Sequence, residues 1–582
     1  MSKRFAFLAA AAILAAAVSM FGQKARPDFN RASDYDVQNY TIRVRLDRKK
    51  QQIFGDTTVS LKPTKPNFRS VELDAVNLVF TSVKLEGSEG SLSYRTTPGK
   101  VIVTLDKSYQ PGEEISIRFA YSTVKPKKGI YFRDAEHDTA GVELHSSQIW
   151  TQGEAEEARY WFPSFDFPSD KATTEEYITA QAGETVIGNG EFLGKETNSD
   201  GSVTWHYKMS VPHSTYLVSF AIGKYARVDD KYKDIPLGYY VYPTNVALGK
   251  KAFSDTPDMM RAYERLTGVD FPYNKYDQTI VAKFQFGGME NITATTMSDV
   301  DIMISQLSGG GLSEDPADPQ SAPGIVIDLV SHELAHSWFG DLVTCRNWAE
   351  LWLNEGFATF MESAYREQRF GRKNYMTKVE LDAQDFLIND AVSRARHPLF
   401  DLTARDADRL FDDPNTTYHK GGAVIHQLRE QVGNEAFWKG INSYLNEHKF
   451  GNVESTDLRK AMEKASGQDL KWFFDQWVYS AGAPSLRVAQ AWHPKTQTLA
   501  ITFTQVQKAD AIVPAVFRLP LDLRIYTAVG EVNEKVDLTK RSQVVSFKLS
   551  GRPSKVEIDP EDKIPLKNVT VTQVVGTPSG KE

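Results

Sequence analysis

The spacing of hydrophobic and polar residues changes twice along this 582-residue chain, and the changes predict three structural regions. From about Tyr35 to Tyr225, segments such as YTIRVRLD and ISIRFAYS alternate or cluster β-branched and aromatic residues, with turn sequences between them. Alternation with a period of two is typical of half-buried strands. We therefore expect a β-rich N-terminal domain over residues 30–228.

After about residue 250 the apolar residues recur at helical spacing, as in PDMMRAYERLTG and KGGAVIHQLREQVG. This spacing predicts a mainly helical domain over residues 229–483. Beyond Pro484, strand-like segments such as LAITFTQVQ return and predict a small C-terminal β-sandwich over residues 484–567. Residues 568–582 are expected to form a loose tail. The predicted fold class is multidomain α+β.

Length and composition narrow the possible functions. A chain of 582 residues is too long for one hydrophobic core, so three or four domains are expected. With 41% hydrophobic and 25% charged residues the composition is that of a soluble globular protein, and the net charge of -7 gives no sign of a nucleic-acid partner. The single cysteine, Cys345, excludes an internal disulfide and a cysteine-rich zinc module. A buried apolar role is favoured for it over a reactive thiol.

The N-terminus has the pattern of an export signal. Lys3 and Arg4 precede an alanine-rich apolar stretch from Phe5 to Phe21, and polar sequence follows. This order predicts a secretory signal peptide over residues 1–25 and an exported protein, periplasmic or extracellular. Because no cleavage site is clear-cut, an uncleaved N-terminal anchor is the alternative. Without such retention we expect no stable membrane span.

The segment VSHELAHSWFG carries the first candidate chemistry. If it is helical, His332 and His336 lie one turn apart on the same face and can hold one metal ion from the same side. Glu333 then lies beside that ion. Two histidines with this spacing and an adjacent glutamate on a helix are typical of zinc hydrolases, in which the glutamate is the general base. Chance occurrence is the alternative for so short a pattern.

A catalytic zinc ion needs a third protein ligand and an open position for water. Eighteen residues separate His336 from Glu355, which lies in the segment NWAELWLNEGFATFMES. That gap is long enough for a loop and a second helix packed against the first. We therefore predict one zinc ion per chain, bound by His332, His336 and Glu355, a standard hydrolytic ligand set. A solvated helix glutamate is the alternative for Glu355.

Four segments together resemble the zinc aminopeptidases of the alanyl aminopeptidase and leukotriene hydrolase family, which are gluzincins. They occur in the family's order and span about residues 35–485. In chain order they are TQGEAEEARYWFPSFDFPSDKATT, FGGMEN, HELAHSWFGDLV with WLNEGFATF, and YHKG. The resemblance implies a thermolysin-like catalytic domain, and zinc-dependent hydrolysis of the N-terminal peptide bond of peptides with a free N-terminus.

An aminopeptidase must recognise a protonated α-amine, for which carboxylates are the natural partners. Glu290 and Glu154 are the candidates, and Gln152 is a neutral hydrogen-bonding neighbour. The glycine pair in FGGMEN either allows close approach of the backbone to the substrate or forms a plain tight turn. The predicted substrate-binding set is Gln152, Glu154, Gly287, Gly288, Met289, Glu290 and Asn291.

The predicted catalytic residues are Glu333 and Tyr418. Glu333 takes a proton from the attacking water and later passes it to the leaving amine. Tyr418 in YHKG donates a hydrogen bond to the carbonyl oxygen as negative charge grows there, with a core tyrosine as the alternative. Other candidate functions are a zinc endopeptidase or epoxide hydrolase on the same scaffold, and a non-catalytic relative.

The chain also departs from the family pattern. Ile292 and Thr293 follow GGMEN where the family usually has Trp-Gly, and Ser164 replaces the usual cysteine. Side-chain preference is therefore not carried over from the family. Larger members continue into a long helical domain that has no counterpart after the predicted sandwich, so a more open site is expected.

Overall fold

The computed structural model describes residues 29, 31, 33–303, 313–393, 396–403, 411 and 413–573. The predicted signal segment 1–25 lies outside these residues, as do residues 574–582 of the predicted tail and residues 307–312 of a Gly/Pro-rich loop. Export therefore stays a prediction. Within the described residues, no helix is both long enough and apolar enough to cross a bilayer.

The N-terminal domain consists of the strands that the alternating sequence predicts. Along β7, for example, every second residue from Ile115 to Thr123 is buried, as expected for a strand with one face in a core. The strands are β1 (Tyr35–Asp47), β2 (Gln52–Pro63), β3 (Phe68–Asp74), β4 (Val79–Leu85), β5 (Ser93–Thr97), β6 (Lys100–Tyr109), β7 (Ile115–Val124), β8 (Ile130–Arg133), β9 (Glu136–His137), β10 (Glu143–His145), β11 (Gln148–Thr151), β12 (Ala172–Ala180), β13 (Thr185–Gly188), β14 (Glu191–Thr197), β15 (Val203–His213) and β16 (Phe220–Gly223).

These strands form one large sheet and three smaller ones. The large sheet has seven strands in the order β14-β15-β12-β1-β2-β7-β4. In it β1 runs parallel to β12 and antiparallel to β2. The smaller sheets have the orders β13-β16-β11-β8, β3-β6-β5 and β10-β9. Strand β11 ends at Thr151, so its sheet positions the loop that carries Gln152 and Glu154.

The catalytic domain begins with a sheet that helical spacing did not predict. Its five strands are β17 (Ala226–Tyr232), β18 (Ile235–Val241), β19 (Tyr276–Val281), β20 (Gly288–Met289) and β21 (Ala294–Ser298), in the order β17-β18-β19-β21-β20. The predicted domain boundary between residues 228 and 229 is therefore wrong. It falls inside β17, which pairs with β18 along its whole length rather than with the N-terminal sheets.

The predicted helices make up the rest of this domain. They are α1 (Val246–Phe253), α2 (Thr256–Thr267), α3 (Asp299–Met303), α4 (Ala322–Ala335), α5 (Trp352–Phe370), α6 (Arg372–Val392), α7 (Gly421–Val432), α8 (Asn434–His448), α9 (Ser455–Ser466) and α10 (Lys471–Trp477). A π-helix spans Asn415–Lys420, and β22 (Val343–Cys345) pairs in parallel with β23 (Gly451–Val453). Cys345 is buried, as its predicted apolar role requires.

Helix α4 is positioned at both ends by local contacts and by its neighbours. Ser321 caps it by accepting a hydrogen bond from the Gly324 N–H at 3.0 Å, and a proline lies in its first turn. On α2, the Tyr263 hydroxyl contacts the carbonyl oxygens of Ser331 at 2.9 Å and Met361 at 3.2 Å. One buried phenol thus ties α4 to α5.

The C-terminal region is the predicted small pair of sheets. Its strands are β24 (Ser485–His493), β25 (Thr498–Gln505), β26 (Leu519–Thr527), β27 (Gly530–Leu538), β28 (Ser542–Lys548), β29 (Pro553–Ile558) and β30 (Asn568–Gln573), in the sheet orders β28-β25-β24-β30 and β27-β26-β29. The prediction that the tail starts at residue 568 is wrong. Strand β30 pairs in parallel with β24, so the sandwich extends to at least Gln573. The α+β fold class is confirmed.

Candidate functional site

The three predicted metal ligands converge on one buried point. His332 lies in the last turn of α4, His336 follows its last residue, and Glu355 lies in the first turn of α5. The Nε2 atoms of His332 and His336 lie 3.2 and 3.4 Å from the same Glu355 Oε2 atom. The ligand atoms of all three residues lie within 4.8 Å of one another. Two imidazoles and one carboxylate so placed could hold a metal ion.

The other nitrogen of each imidazole already has a partner. His332 Nδ1 lies 2.7 Å from Glu362 Oε1, and His336 Nδ1 lies 2.9 Å from the Phe339 carbonyl oxygen. When Nδ1 donates to these acceptors, Nε2 keeps its lone pair for a metal. Glu362 was not among the site residues predicted from the sequence. It lies seven residues after Glu355, two helical turns along the same face of α5, and that spacing was the available signal.

A cavity of about 360 Å³ opens beside this cluster. Glu333 lines it, and its Oε2 atom is buried with no hydrogen-bond partner among the described residues. Burial raises the pKa of Glu333 to about 8, although the imidazoles of His332 and His336 oppose the shift. A carboxyl group whose pKa lies near neutrality is suited to taking up and returning a proton. Its predicted role as general base is compatible with this position.

Glu154 and Glu290 line the same cavity from two different domains. One carboxylate oxygen of each, Oε1, is buried without a hydrogen-bond partner in the part of the chain described. Oxygens of Glu154, Glu290 and Glu355 lie within 4.8 Å of one another. Burial raises the pKa of both Glu154 and Glu290, and for Glu154 the neighbouring Glu290 adds to the shift. Such a cluster favours a cationic ligand that would relieve the repulsion.

Three residues of the predicted substrate-binding set are not on the cavity wall. Gln152 is fully buried, with Nε2 3.4 Å from the Met289 sulfur and 3.4 Å from the Glu154 carbonyl oxygen. Asn291 is also fully buried, and its Nδ2 donates to Thr296 Oγ1 at 3.0 Å. The predicted substrate contacts of Gln152, Met289 and Asn291 stay predictions. These residues support the segments that carry Glu154 and Glu290, whereas Gly287 and Gly288 do line the cavity.

Tyr418 also lines the cavity. Its ring stacks on the His332 imidazole, with centroids 5.9 Å apart and planes at 14°. The π-helix places it just before α7, and π-turns of this kind are frequent at functional sites. Burial and the surrounding carboxylates, Glu355 first among them, raise its pKa well above the ordinary value. The phenol is therefore protonated and can donate a hydrogen bond.

Two glycines explain how Tyr418 comes so close to the metal ligands. A Cβ atom on Gly356 would lie 2.9 Å from the Gly421 Cα, and one on Gly421 would lie 2.8 Å from the Gly356 Cα. The backbones of α5 and α7 therefore touch at this point, which no other residue type allows. The contact lies one residue after Glu355 and three after Tyr418, so it sets their separation.

Comparison with known proteins identifies the family. Residues 36–217 match the peptidase M1 N-terminal domain, and residues 251–477 match the peptidase family M1 domain. The chain belongs to peptidase family M1. Its relatives include aminopeptidase N of Streptomyces lividans, which is 32% identical over 61% of this chain and 41% of the relative. Aminopeptidase 2 of Candida albicans is 28% identical over 86% of this chain and 54% of the relative.

A third relative, the probable aminopeptidase 1 of Saccharolobus solfataricus, is 30% identical over 72% of this chain and 50% of its own length. The chain thus spans about half the length of the curated relatives it matches. The M1 membership confirms the predicted resemblance. The matched regions contain all four segments on which that resemblance rested.

Two of the three positions that depart from the M1 pattern, Ile292 and Thr293, join the site to the N-terminal domain. Thr293 has a φ of +61°, and its hydroxyl accepts a hydrogen bond from the Gly190 N–H at 2.7 Å. Next to it, the Ile292 carbonyl accepts one from Asn189 Nδ2 at 2.7 Å. These two bonds join the segment after GGMEN to the loop that connects β13 and β14.

Gly288 lies against the Glu333 carboxylate in this M1 peptidase, and the two predicted roles of the glycine pair stay predictions. A Cβ atom on Gly288 would lie 2.2 Å from Glu333 Oε1, far inside contact distance. We expect Gly288→Ala to displace the carboxylate and to lower kcat by about 10²-fold, the typical effect of a misplacement near 1 Å. Steady-state kinetics with a peptide amide measures this.

Gly287→Ala is the matched control for Gly288→Ala. A Cβ atom there would meet only the end of a flexible side chain, Leu329 Cδ1 at 3.0 Å. It should therefore change kcat much less, and metal content should be the same in both variants. Equal kcat values for Gly288→Ala and the wild type would show that Gly288 does not position Glu333.

Proposed function

We propose that this chain is a zinc-dependent aminopeptidase that removes the N-terminal residue from peptides. The observation that carries the proposal is the joint presence, in one cavity, of the ligand cluster and the carboxylates of Glu154 and Glu290, each of which has one buried oxygen without a hydrogen-bond partner among the described residues. The first set suits a catalytic metal, and the second suits a substrate ammonium group. The relatives' names support the same activity.

The residues present fit a zinc ion. His332, His336 and Glu355 would hold it, because their Nε2 and carboxylate atoms converge and the imidazole Nδ1 atoms are already engaged. Glu333, Glu290 and Glu154 add carboxylates nearby, so the site has an excess of negative charge that a divalent cation balances. A bound zinc ion supplies Lewis acidity, which acidifies a water molecule and polarises a carbonyl group.

The chain's own residues divide the remaining tasks. Glu290 and Glu154 bind the substrate ammonium group and so limit cleavage to the first peptide bond. Glu333 accepts the proton of the attacking water and delivers it to the leaving amine nitrogen. Tyr418, protonated and stacked on His332, donates its hydroxyl proton in a hydrogen bond to the carbonyl oxygen as charge develops there.

Glu290→Gln tests the aminopeptidase assignment. The substitution keeps the side chain's size and removes its charge. Hydrogen bonds to charged groups are worth roughly 1.5–3 kcal/mol, so we expect kcat/KM for free peptides to fall by about 10- to 150-fold. Zinc content should not change, since Glu290 is not in the predicted ligand set. Chromogenic aminoacyl amides and metal analysis measure the two quantities.

N-acetylated substrates separate the aminopeptidase from an endopeptidase. The wild type should fail on them, because acetylation removes the charge that Glu290 and Glu154 bind. Glu290→Gln should narrow the difference in cleavage rate between free and acetylated substrates. With an acetylated substrate the variant leaves one carboxylate without a cationic partner, whereas the wild type leaves two. Cleavage of free and acetylated peptides at similar rates by the wild type would contradict the proposal and favour the endopeptidase alternative.

A further inference from the structure

A buried charge network extends from the metal cluster away from the cavity. Glu362 on α5 contacts His332 Nδ1 through Oε1 at 2.7 Å, and its Oε2 atom lies 2.8 Å from Lys378 Nζ on α6. The same Nζ atom lies 2.8 Å from both carboxylate oxygens of Asp382. A continuous chain of contacts thus runs from Asp382 through Lys378 and Glu362 to the imidazole of His332.

All of these groups are withdrawn from solvent. Glu362, Lys378 and Asp382 are each only 7–8% exposed. Of the three, only Glu362 borders the cavity, so Lys378 does not meet the substrate directly. A buried ammonium group is costly unless it is paired and hydrogen-bonded. Lys378 is paired with two carboxylates, and it is the cation that the network places between them.

The geometry gives Lys378 a specific effect on His332. One oxygen of Glu362 contacts the imidazole while the other is held by Lys378, so the ammonium group prevents the carboxylate from rotating away. Without Lys378, the carboxylates of Glu362 and Asp382 would be left as like charges in a buried space. Glu362 would then turn away from its present position, and the orientation of His332 would loosen.

We infer that Lys378 is a positioning residue for the metal site, which acts through Glu362 to fix the imidazole of His332 and so tightens zinc binding. The inference rests on the proposed function, because it takes zinc as the metal. Partners that orient a ligating histidine typically change metal affinity by about 10- to 100-fold when they are removed. Glu362 is such a direct partner of His332, and Lys378 contacts the imidazole only through Glu362. Both residues lie where α5 packs against α6.

The test compares zinc dissociation constants, measured by competition with a chromogenic chelator, among full-length variants. Lys378→Met keeps the length of the side chain and removes its charge, so we expect about 10-fold weaker binding or more. Lys378→Arg restores a cation and should recover much of the loss. Lys373→Met, on the exposed side of α6, is the matched control and should bind zinc like the wild type.

The melting temperature measured without zinc distinguishes a role of Lys378 in orienting His332 from a role in stabilising the fold. A merely structural role would lower that temperature and leave the zinc affinity of the folded protein unchanged, which would overturn the inference. If Lys378→Met does not fold, Lys378→Gln provides the same test, because it removes the positive charge, keeps a polar side chain and leaves Glu362 in place. Unchanged affinity in Lys378→Gln would equally overturn the inference.

Failure of the proposed function has a different signature. A wild type that binds zinc but leaves free and acetylated peptides uncleaved would refute the aminopeptidase proposal alone, and the affinity comparison would still decide the role of Lys378. A wild type without measurable zinc affinity would refute both.

Discussion

Glu355→Ala is expected to abolish zinc binding and to reduce turnover to background. Both imidazole Nε2 atoms lie within 3.4 Å of one Glu355 oxygen, so this carboxylate is the point on which the ligand cluster converges. Removing it leaves two protein ligands where a catalytic zinc site uses three. His332→Ala should have the same outcome for the same reason. Metal analysis after dialysis, alongside kinetics, measures both effects.

The fold should survive the loss of Glu355, and this can be shown by the response to zinc. A ligand that binds only the native state raises the melting temperature. The wild type should therefore melt at a higher temperature when Zn²⁺ is added, whereas Glu355→Ala should not respond. Glu367→Ala, three turns further along α5 and outside the cavity lining, is the control that should retain zinc. Stoichiometric zinc in both ligand variants would refute the ligand assignment.

Glu333→Gln is expected to lower kcat by about 10²–10⁴-fold, the usual contribution of general acid–base catalysis. Its carboxylate lines the cavity, and its buried Oε2 atom has no partner among the described residues to hold its proton. The amide of glutamine has nearly the same shape but cannot accept a proton at neutral pH. Turnover should therefore fall while the ligand cluster stays intact.

The two variants differ in what they retain. Glu333→Gln should keep full zinc content, and in the presence of zinc it should melt at the same temperature as the wild type. Glu355→Ala should bind no zinc and should therefore melt at a lower temperature than the wild type when zinc is present. Glu380→Gln, an exposed position on α6, controls for the loss of one negative charge and should be as active as the wild type. Near-normal kcat in Glu333→Gln would mean that another group moves the proton.

Local patterns predicted the helices of the site well. The four-residue spacing of His332 and His336 requires only helical periodicity, which neighbouring residues determine. The gap to Glu355 required only that a loop and a second helix follow. The structure brings these three residues together as predicted. Their identity as zinc ligands stays a prediction that the experiments above address.

Other features of the site depend on contacts between distant parts of the chain. The sequence indicated that glycines matter in FGGMEN, but not that Gly288 lies against Glu333, which is 45 residues away in sequence. Likewise, no periodicity links Lys378 on α6 to the imidazole of His332 on α4. Three residues of the predicted binding set proved to be buried behind the cavity, because a motif shows which residues are near a site but not which way each one faces.

The domain boundaries show the same division. Strand β17 reads in sequence like the strands before it, and only its pairing with β18 assigns it to the catalytic domain. Strand β30 lies in the segment that was expected to be a loose tail, and its parallel pairing with β24 assigns it to the C-terminal sandwich. The sequence by itself determined the element types outside the sheet of β17–β21, the α+β class, the family and the ligand spacing, because these follow from local periodicity and short motifs. Only the tertiary structure decided the strand partners, the cavity wall and the buried charge network, because each depends on side chains that meet across long stretches of chain.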